Sequence, residues 1–551
     1  MKLKWVLLFL RMIIFKEKLT MTNNLKFNNK ELYQIIKYGI SEEEALRQLF
    51  LIKNPPAHAR LLKPVTINDG ILKLTAAEEE AMISIFQDTA KKRRSQTFIP
   101  ASGAASRMFK SLYKFIMLPE DMEVRQIEKA AKEGDMDAEE VMEFLSHIER
   151  FPFFCELKKQ KKDSIPGLHS GFCQIKSLLK YILLSEGLGL SVLPKGIIPF
   201  HRYDGENRTS FEEHLIKASS HLASSEGVTR VHFTVGHNHE EKFRKIFEKV
   251  KNIYERRYNT SFEVTFSYQK PATDTISLDK NGEILKDEKG NIVFRPGGHG
   301  ALIENLNDLN GDIVFIRNID NIVYDWLKPL VVRWDNILGG VLASIEKQVK
   351  DNVNKLKSGV KKEEIEEILS FCSAKLNIAV PDEVYAMPAP KAVSWLIEKL
   401  NRPIRVCGMV FNSGESGGAP FWIQDSSGRK SIQIIEEPQV DKNNKDQLKI
   451  WQSSSYFNPV DIVCGVTDYR GKPFDLRCYV DHNASFVTRK SYDGQDIQTL
   501  EHPGLWNGAM SDWLSIFVEV PAETFNPVKT VTDLLRRAHQ PNLDNNDNRK
   551  D

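Results

Sequence analysis

Residues 97–108 read Thr-Phe-Ile-Pro-Ala-Ser-Gly-Ala-Ala-Ser-Arg-Met, a short β-type run that breaks into small side chains and reaches an arginine before a helical pattern resumes. Such a stretch has the composition to hold phosphate. Ala101, Ser102, Gly103, Ala104, Ala105 and Ser106 let backbone N–H groups approach an anion closely. A helix start just beyond adds the positive end of its dipole, and Arg107 offers a planar fork to phosphate oxygens. Small residues at this place also serve plain strand-to-helix packing, and the loop alone does not separate the two readings.

Three further stretches follow in order. Residues 193–200 read Leu-Pro-Lys-Gly-Ile-Ile-Pro-Phe, residues 294–302 read Phe-Arg-Pro-Gly-Gly-His-Gly-Ala-Leu, and residues 313–321 read Ile-Val-Phe-Ile-Arg-Asn-Ile-Asp-Asn. Later come Thr-Phe-Asn-Pro-Val-Lys at 524–529 and, before the glycine run, Phe-Ser-Tyr-Gln-Lys-Pro-Ala at 266–272 with an Asp-Lys-Asn-Gly turn at 279–282. In this order the chain resembles the UDP-sugar pyrophosphorylase family, nucleotidyltransferases with a glycine-rich loop ending in arginine, a Pro-Lys-Gly motif, a Pro-x-Gly-x-Gly nucleotide loop and an Asn-x-Asp-Asn strand end. It also resembles a bacterial domain family with no assigned reaction.

The resemblance implies an α/β fold of GT-A type, a mostly parallel sheet flanked by helices, and transfer of a nucleotidyl group from a nucleoside triphosphate, most simply UTP, to a sugar 1-phosphate. On that reading Arg107, Lys195 and Lys529 supply positive charge and Asp320 holds Mg²⁺, which prefers hard carboxylate ligands and retained waters. The loop 101–106, Gln269, Gly297, Gly298, His299 and Gly300 contact the nucleotide, and Asn318, Glu415 and Glu436 the sugar. Residues 412–422 carry Glu415 in a glycine-rich loop, with Phe421 and Trp422 either a stacking face for the sugar or core aromatics. Each role has a plain structural rival: Lys195 a turn lysine, Asp320 a cap on a helix over 322–327, Gly-Gly-His-Gly an ordinary turn. His299 stands where the family carries asparagine, and Ala104 and Ala105 stand where it carries glycine and another small residue. Two other functions fit the same motifs, a non-catalytic nucleotide- or nucleotide-sugar-binding protein and a GT-A glycosyltransferase, although no strand-end Asp-x-Asp is present.

The elements that must position these residues follow from pattern. At 551 residues, one core does not serve the whole chain, and two or three domains or one domain with large insertions are expected. Residues 22–95 read as helical, with caps at Ser41 and Thr75; residues 96–330 read as the nucleotide-binding α/β core, interrupted by a helical insertion over 109–187. Strands are expected over 228–235 and 262–268, joined by a helix over 240–257, a rhythm that makes a parallel sheet with ligands over its carboxyl ends. A second helical insertion spans 331–400, and 401–539 completes the catalytic domain on the sugar side. Residues 1–21 read as an upstream extension and 540–551 as a disordered tail. The stretch His-Pro-Gly-Leu-Trp-Asn-Gly at 502–508 matches none of these motifs.

Composition excludes other classes. Net charge is +2, from 76 Lys plus Arg against 74 Asp plus Glu, so no global field favours nucleic acid or an anionic membrane, and phosphate recognition must be local. The apolar run near the start is too short to span a bilayer, so no stable membrane anchoring is expected. The six cysteines show no Cys-x-x-Cys pair, as expected of thiols in the cytoplasm. His232, His237 and His239 lack a carboxylate or cysteine at ligand spacing and are not expected to bind metal.

Overall fold

A computed structural model describes residues 26–119, 124–160, 172–221, 227–415 and 417–542. The expected extension over 1–21 lies outside the described residues, as does most of the expected tail. The chain divides into two compact units, each discontinuous in sequence. One is drawn from 1–79, 269–314 and 341–519 and holds the glycine run at 297–300; the other, from 80–268, 315–340 and 520–551, holds Arg107.

In the arginine-loop unit the strands Ser95–Pro100, Val228–Thr234 and Ser261–Ser267 are parallel neighbours, with Thr97 opposite Val231 and Val228 opposite Ser261. Ser95–Pro100 and Val228–Thr234 are almost continuously buried, as inner parallel strands covered on both faces must be, whereas Ser261–Ser267 is largely half-buried or exposed. The 19-residue helix Glu240–Tyr258 makes the crossover between the last two, stopping where Asn259 turns left-handed (φ 49°). Phe243 from this helix meets Phe211, Phe233 and Phe266, an aromatic cluster that fixes helix to sheet. The inserted helices Lys110–Ile116, Val124–Lys132, Met136–Ser146, Phe154–Gln160 and Phe172–Leu183 share a core around Phe144, Phe151 and Phe153. That core also takes in Ala105, Met108, Phe200, Val528 and Leu534, so the insertion is anchored to the segments that carry the motifs.

In the glycine-loop unit Ile404–Phe411 pairs parallel with Leu514–Glu519 and antiparallel with Ile462–Gly465. Gly70–Leu72 joins Leu514–Glu519 in parallel, and a separate antiparallel sheet unites Arg60–Pro64, Ala419–Gln424 and Lys430–Ile435. A third sheet joins Phe486–Tyr492, Gln495–Glu501 and Ser277–Leu278. The stretch read as wholly helical over 22–95 therefore contains three short strands, Arg60–Pro64, Thr66–Ile67 and Gly70–Leu72. Two of them pair with strands more than 300 positions away in the chain, partners that local pattern does not disclose. Similarly, no helix occupies 322–327. The Tyr324 N–H goes to Ala538 O (2.8 Å), and the helix begins at Lys328 with Pro329 in its first turn and runs to Ser358.

Candidate functional site

The arginine loop leaves the strand Ser95–Pro100 at its carboxyl end and is stitched to the Pro-Lys-Gly segment by backbone bonds. Ala105 N donates to Leu193 O and Lys195 N to Gly103 O, both at 3.0 Å. The helical insertion thus leaves its two ends side by side, which is how the arginine loop and the Pro-Lys-Gly segment meet despite their separation in sequence. Gly196 allows the next step: a Cβ there would lie 2.9 Å from the Phe243 ring and 3.2 Å from Ile319.

Lys195 Nζ donates to Asp320 Oδ2 (2.9 Å) and to Val528 O (2.7 Å). Asp320 is itself placed from both sides. His214 Nε2 reaches the carbonyls of Asn318 (3.1 Å) and Ile319 (3.2 Å), Ser210 Oγ donates to Ile319 O, and Val528 N donates to Asp320 O (3.1 Å). Asn321 pairs with Pro527 and accepts from Asn526 N (2.8 Å), which brings Lys529 into the same cluster. Backbone bonds therefore join the segments that carry Arg107, Lys195, Asp320 and Lys529, with Asn318 half-buried among them.

Among the described residues Arg107 is exposed and makes no ion pair or side-chain hydrogen bond, and the N–H groups of Ser102, Gly103 and Ala104 donate to no protein acceptor. A Cβ on Gly103 would meet nothing within 4 Å. The loop thus presents donors and a cation outward. One expected contribution is missing. After a 3-10 turn at Ala105–Arg107 the helix Lys110–Ile116 is only seven residues long and starts beyond the arginine, so no long helix dipole points at the loop.

A second cluster lies wholly in the glycine-loop unit. His299 stacks on Trp506 (centroids 4.2 Å apart), approaches Glu436 Oε1 with Nε2 (3.4 Å) and accepts from Leu505 N with Nδ1 (3.1 Å). Burial raises the Glu436 pKa, but bonds from His299, Asn507 and Trp506 outweigh it and hold the carboxyl below its ordinary value. His299 and Glu436, expected to serve different parts of a ligand, are thus direct partners. The close approach that the glycines permit is made by protein: a Cβ on Gly297 would lie 2.4 Å from His502, on Gly298 2.8 Å from Glu501, and on Gly300 2.2 Å from Pro503 O. The stretch 502–508, silent as a motif, is the segment that packs against this loop; its only sequence signal was a dense run of Pro, Gly, Trp and His.

The remaining expected residues are placed as follows. Gln269 donates to Asp274 Oδ1 (3.0 Å) within its own turn. Glu415 follows Asn412, whose side chain accepts from Glu415 N (2.8 Å), and Glu436 directly follows the strand Lys430–Ile435. Phe421 is fully buried against Trp451, and Trp422 donates to Asp69 Oδ1 (3.2 Å), so these aromatics are core and hairpin residues rather than a stacking face. His232 bonds Thr265 and Ser267 hydroxyls, and His237 stacks on Tyr268. Among the described residues no three His, Cys, Asp or Glu side chains gather as a metal cage. Asp320 nonetheless suits one ligand position of a Mg²⁺ ion shared with phosphates and waters, because its Oδ1 accepts no hydrogen bond from a described residue.

The fold is that of an α/β protein with a mostly parallel sheet and helical insertions. The chain belongs to the family described as "Domain of unknown function (DUF4301)", whose model matches residues 28–540. No curated protein matches it. Solved structures similar to it include UDP-glucose pyrophosphorylase of Leishmania major in complex with UDP-glucose, at 9% identity and TM-score 0.41, covering 93% of this chain and 79% of that one. A UDP-glucose phosphorylase of Trypanosoma brucei is similar at 12% identity and TM-score 0.41, covering 92% and 77%. The T. brucei uridine diphosphate N-acetylglucosamine pyrophosphorylase matches at 12% identity and TM-score 0.42, covering 86% and 72%.

Proposed function

We propose that the protein is a nucleotidyltransferase that moves a nucleotidyl group from a nucleoside triphosphate, UTP first among them, to a sugar 1-phosphate. The observation that carries this reading is the joining of the arginine loop to the Lys195–Asp320 pair, with Arg107 and three backbone N–H groups that have no protein partner among the described residues. A phosphate oxygen of the sugar attacks the α-phosphorus, the bond to the bridging oxygen breaks, and pyrophosphate departs with that electron pair. Catalysis of this kind is positioning and neutralisation of charge. Arg107 and the N–H groups of 102–104 hold the polyphosphate, Lys195 is aimed by Asp320 and Val528 O, and Lys529 adds a second ammonium at the same end. Asp320 would hold Mg²⁺, which would supply positive charge to offset that of the phosphates. Gln269, His299 and the glycines 297, 298 and 300 are assigned to the nucleotide, and Asn318, Glu415 and Glu436 to the sugar, on a GT-A-type scaffold.

The binding-only reading is favoured by the altered arginine loop, where Ala104 and Ala105 stand in place of the glycine and other small residue of the resembled family, and by the large helical insertions. We place the protein in the cytoplasm: Cys155, Cys372, Cys407, Cys464 and Cys478 are thiols, and no helix among the described residues is long and apolar enough to cross a membrane.

The test is a Mg²⁺-dependent pyrophosphate-release screen of the four nucleoside triphosphates against a panel of sugar 1-phosphates. Release is expected with at least one pair, and Lys195→Ala or Asp320→Ala should each lower it by roughly 10²-fold or more. Nucleotide binding with no release from any pair would replace the transferase with the binding-only reading.

A further inference from the structure

The glycine-loop unit contains a cavity of about 200 Å³ whose lining includes none of the residues assigned above to nucleotide, sugar or metal. Its wall is formed by residues 376–381 and the helix Ala389–Leu400 on one side, and by the start of the strand Lys430–Ile435 and residues 511–515 on the other. The chemistry of that wall is lopsided. Lys399, Arg402, Arg429 and Lys430 face a single lining carboxylate, Asp512.

The arginines share that carboxylate. Arg429 NH1 lies 3.1 Å and Arg402 NH1 3.6 Å from the same oxygen, Asp512 Oδ1. Outside the lining, Asp425 takes Arg429 Nε (3.0 Å), while Glu398 lies 3.6 Å from Lys399 and 4.0 Å from Arg402 NH2. These carboxylates leave the cluster with an excess of positive charge, and Arg429 NH2 has no hydrogen-bond partner among the described residues. Burial lowers the pKa of both Lys399 and Arg402, and neighbouring cations lower each further, so a second anion would relieve both. Retaining such a group of cations around an open space has a cost in the empty protein that a bound anion would offset.

Part of the remaining wall is apolar, beside the polar Asn377, Ser431, Gln433, Ser511 and Ser515. Trp395 lies under Lys399 Nζ (5.6 Å from the ring centroid), and Ile378 and Pro381 continue that surface. Trp513, 4% exposed, has an indole Nε1–H that is buried without a hydrogen-bond partner. An inorganic anion would use the guanidinium forks and leave this surface bare, whereas a phosphate monoester with a ring-sized organic part would use both. The volume is below the roughly 300–1,000 Å³ of sites for larger ligands, which fits one ring and one phosphate group.

We infer that this cavity is a binding site for a small phosphate monoester, whose phosphate is held by Arg402, Arg429 and Lys399 and whose organic part lies against Trp395 and Pro381. The site does not depend on the transferase reading and involves no covalent step.

The full-length protein is titrated calorimetrically with phenyl phosphate as the ring-bearing monoester, and in parallel with benzoate and inorganic phosphate. Phenyl phosphate is expected to bind more tightly than either. Arg429→Gln, at a partly exposed residue, and Lys399→Met should each weaken it by about tenfold or more while keeping the unfolding midpoint. Arg107→Ala, which removes the cation of the arginine loop, should leave the affinity within about twofold. No heat up to about 10 mM phenyl phosphate would overturn the inference. So would equal affinity for benzoate, indifference to both Arg429→Gln and Lys399→Met, or loss of binding in Arg107→Ala.

Discussion

Glycines in the two loops do opposite work. Gly103 opens onto space, while Gly300 admits Pro503 O to within 2.2 Å of where a Cβ would stand. Gly300→Ala is therefore an overpacking change and should cost about 1–3 kcal/mol, read as a lowered midpoint in denaturant unfolding. Gly103→Val should leave that midpoint within about 0.5 kcal/mol of wild type. On the proposed reading it should instead raise KM for the nucleoside triphosphate severalfold, because the branched side chain stands where phosphate approaches. At this scale the sequence was informative about type and not about partner. Arg107 and Lys195 stood out as candidate cations, yet nothing local said that His299 would meet Glu436 or that Val528 O would hold Lys195.

Among the elements, the strand Val228–Thr234 carries a pH dependence. His232 is 6% exposed between the Thr265 and Ser267 hydroxyls, and burial depresses its pKa from 6.5 to about 4. A histidine depressed in the folded state binds fewer protons there than when unfolded, so its contribution to stability is fully present above pH 6.5 and is lost as the pH falls toward 4. His221, buried and also lowered to about 4, acts in the same direction. The unfolding free energy should fall by up to about 3 kcal/mol per such histidine across that window. His232→Gln, which keeps an amide between the two hydroxyls, should flatten the slope in urea titrations at pH 4.5 and 7. The βαβ rhythm that sets this strand beside Ser261–Ser267 was readable from alternation and length, and the observed strand bounds differ from those expected by at most one residue. The strands at 60–72 were not readable, because strands of two to five residues take their identity from distant partners.

Over the whole molecule the chain passes between the two units repeatedly, and its last segment belongs to the arginine-loop unit. Val528, Val531 and Leu534 are fully buried in the core shared with the helical insertion, and His539 Nδ1 lies 3.0 Å from His201 Nε2. Removing residues 520–551 strips this unit of core as well as of the carbonyl that holds Lys195. The truncated chain is expected to lose cooperative unfolding of that unit and all nucleotide-dependent stabilisation, checked by calorimetry with and without UTP and Mg²⁺. A folded truncation that still binds UTP would show that the late segment is dispensable.

Residue type and order, by themselves, determined the parallel α/β region over 228–268 and the helical insertions, and marked the candidate loop and cations, because these follow from side-chain chemistry and local periodicity. Tertiary structure alone decided that the arginine loop joins the Pro-Lys-Gly segment across an insertion, that residues 501–503 fill the space beside the glycine run, and that Phe421 is core. It also decided that four cations from separate segments surround one cavity. The physical reason is the same in each case: periodicity reports which face of an element is apolar, but which distant backbone or carboxylate completes a contact is set only when the chain closes on itself.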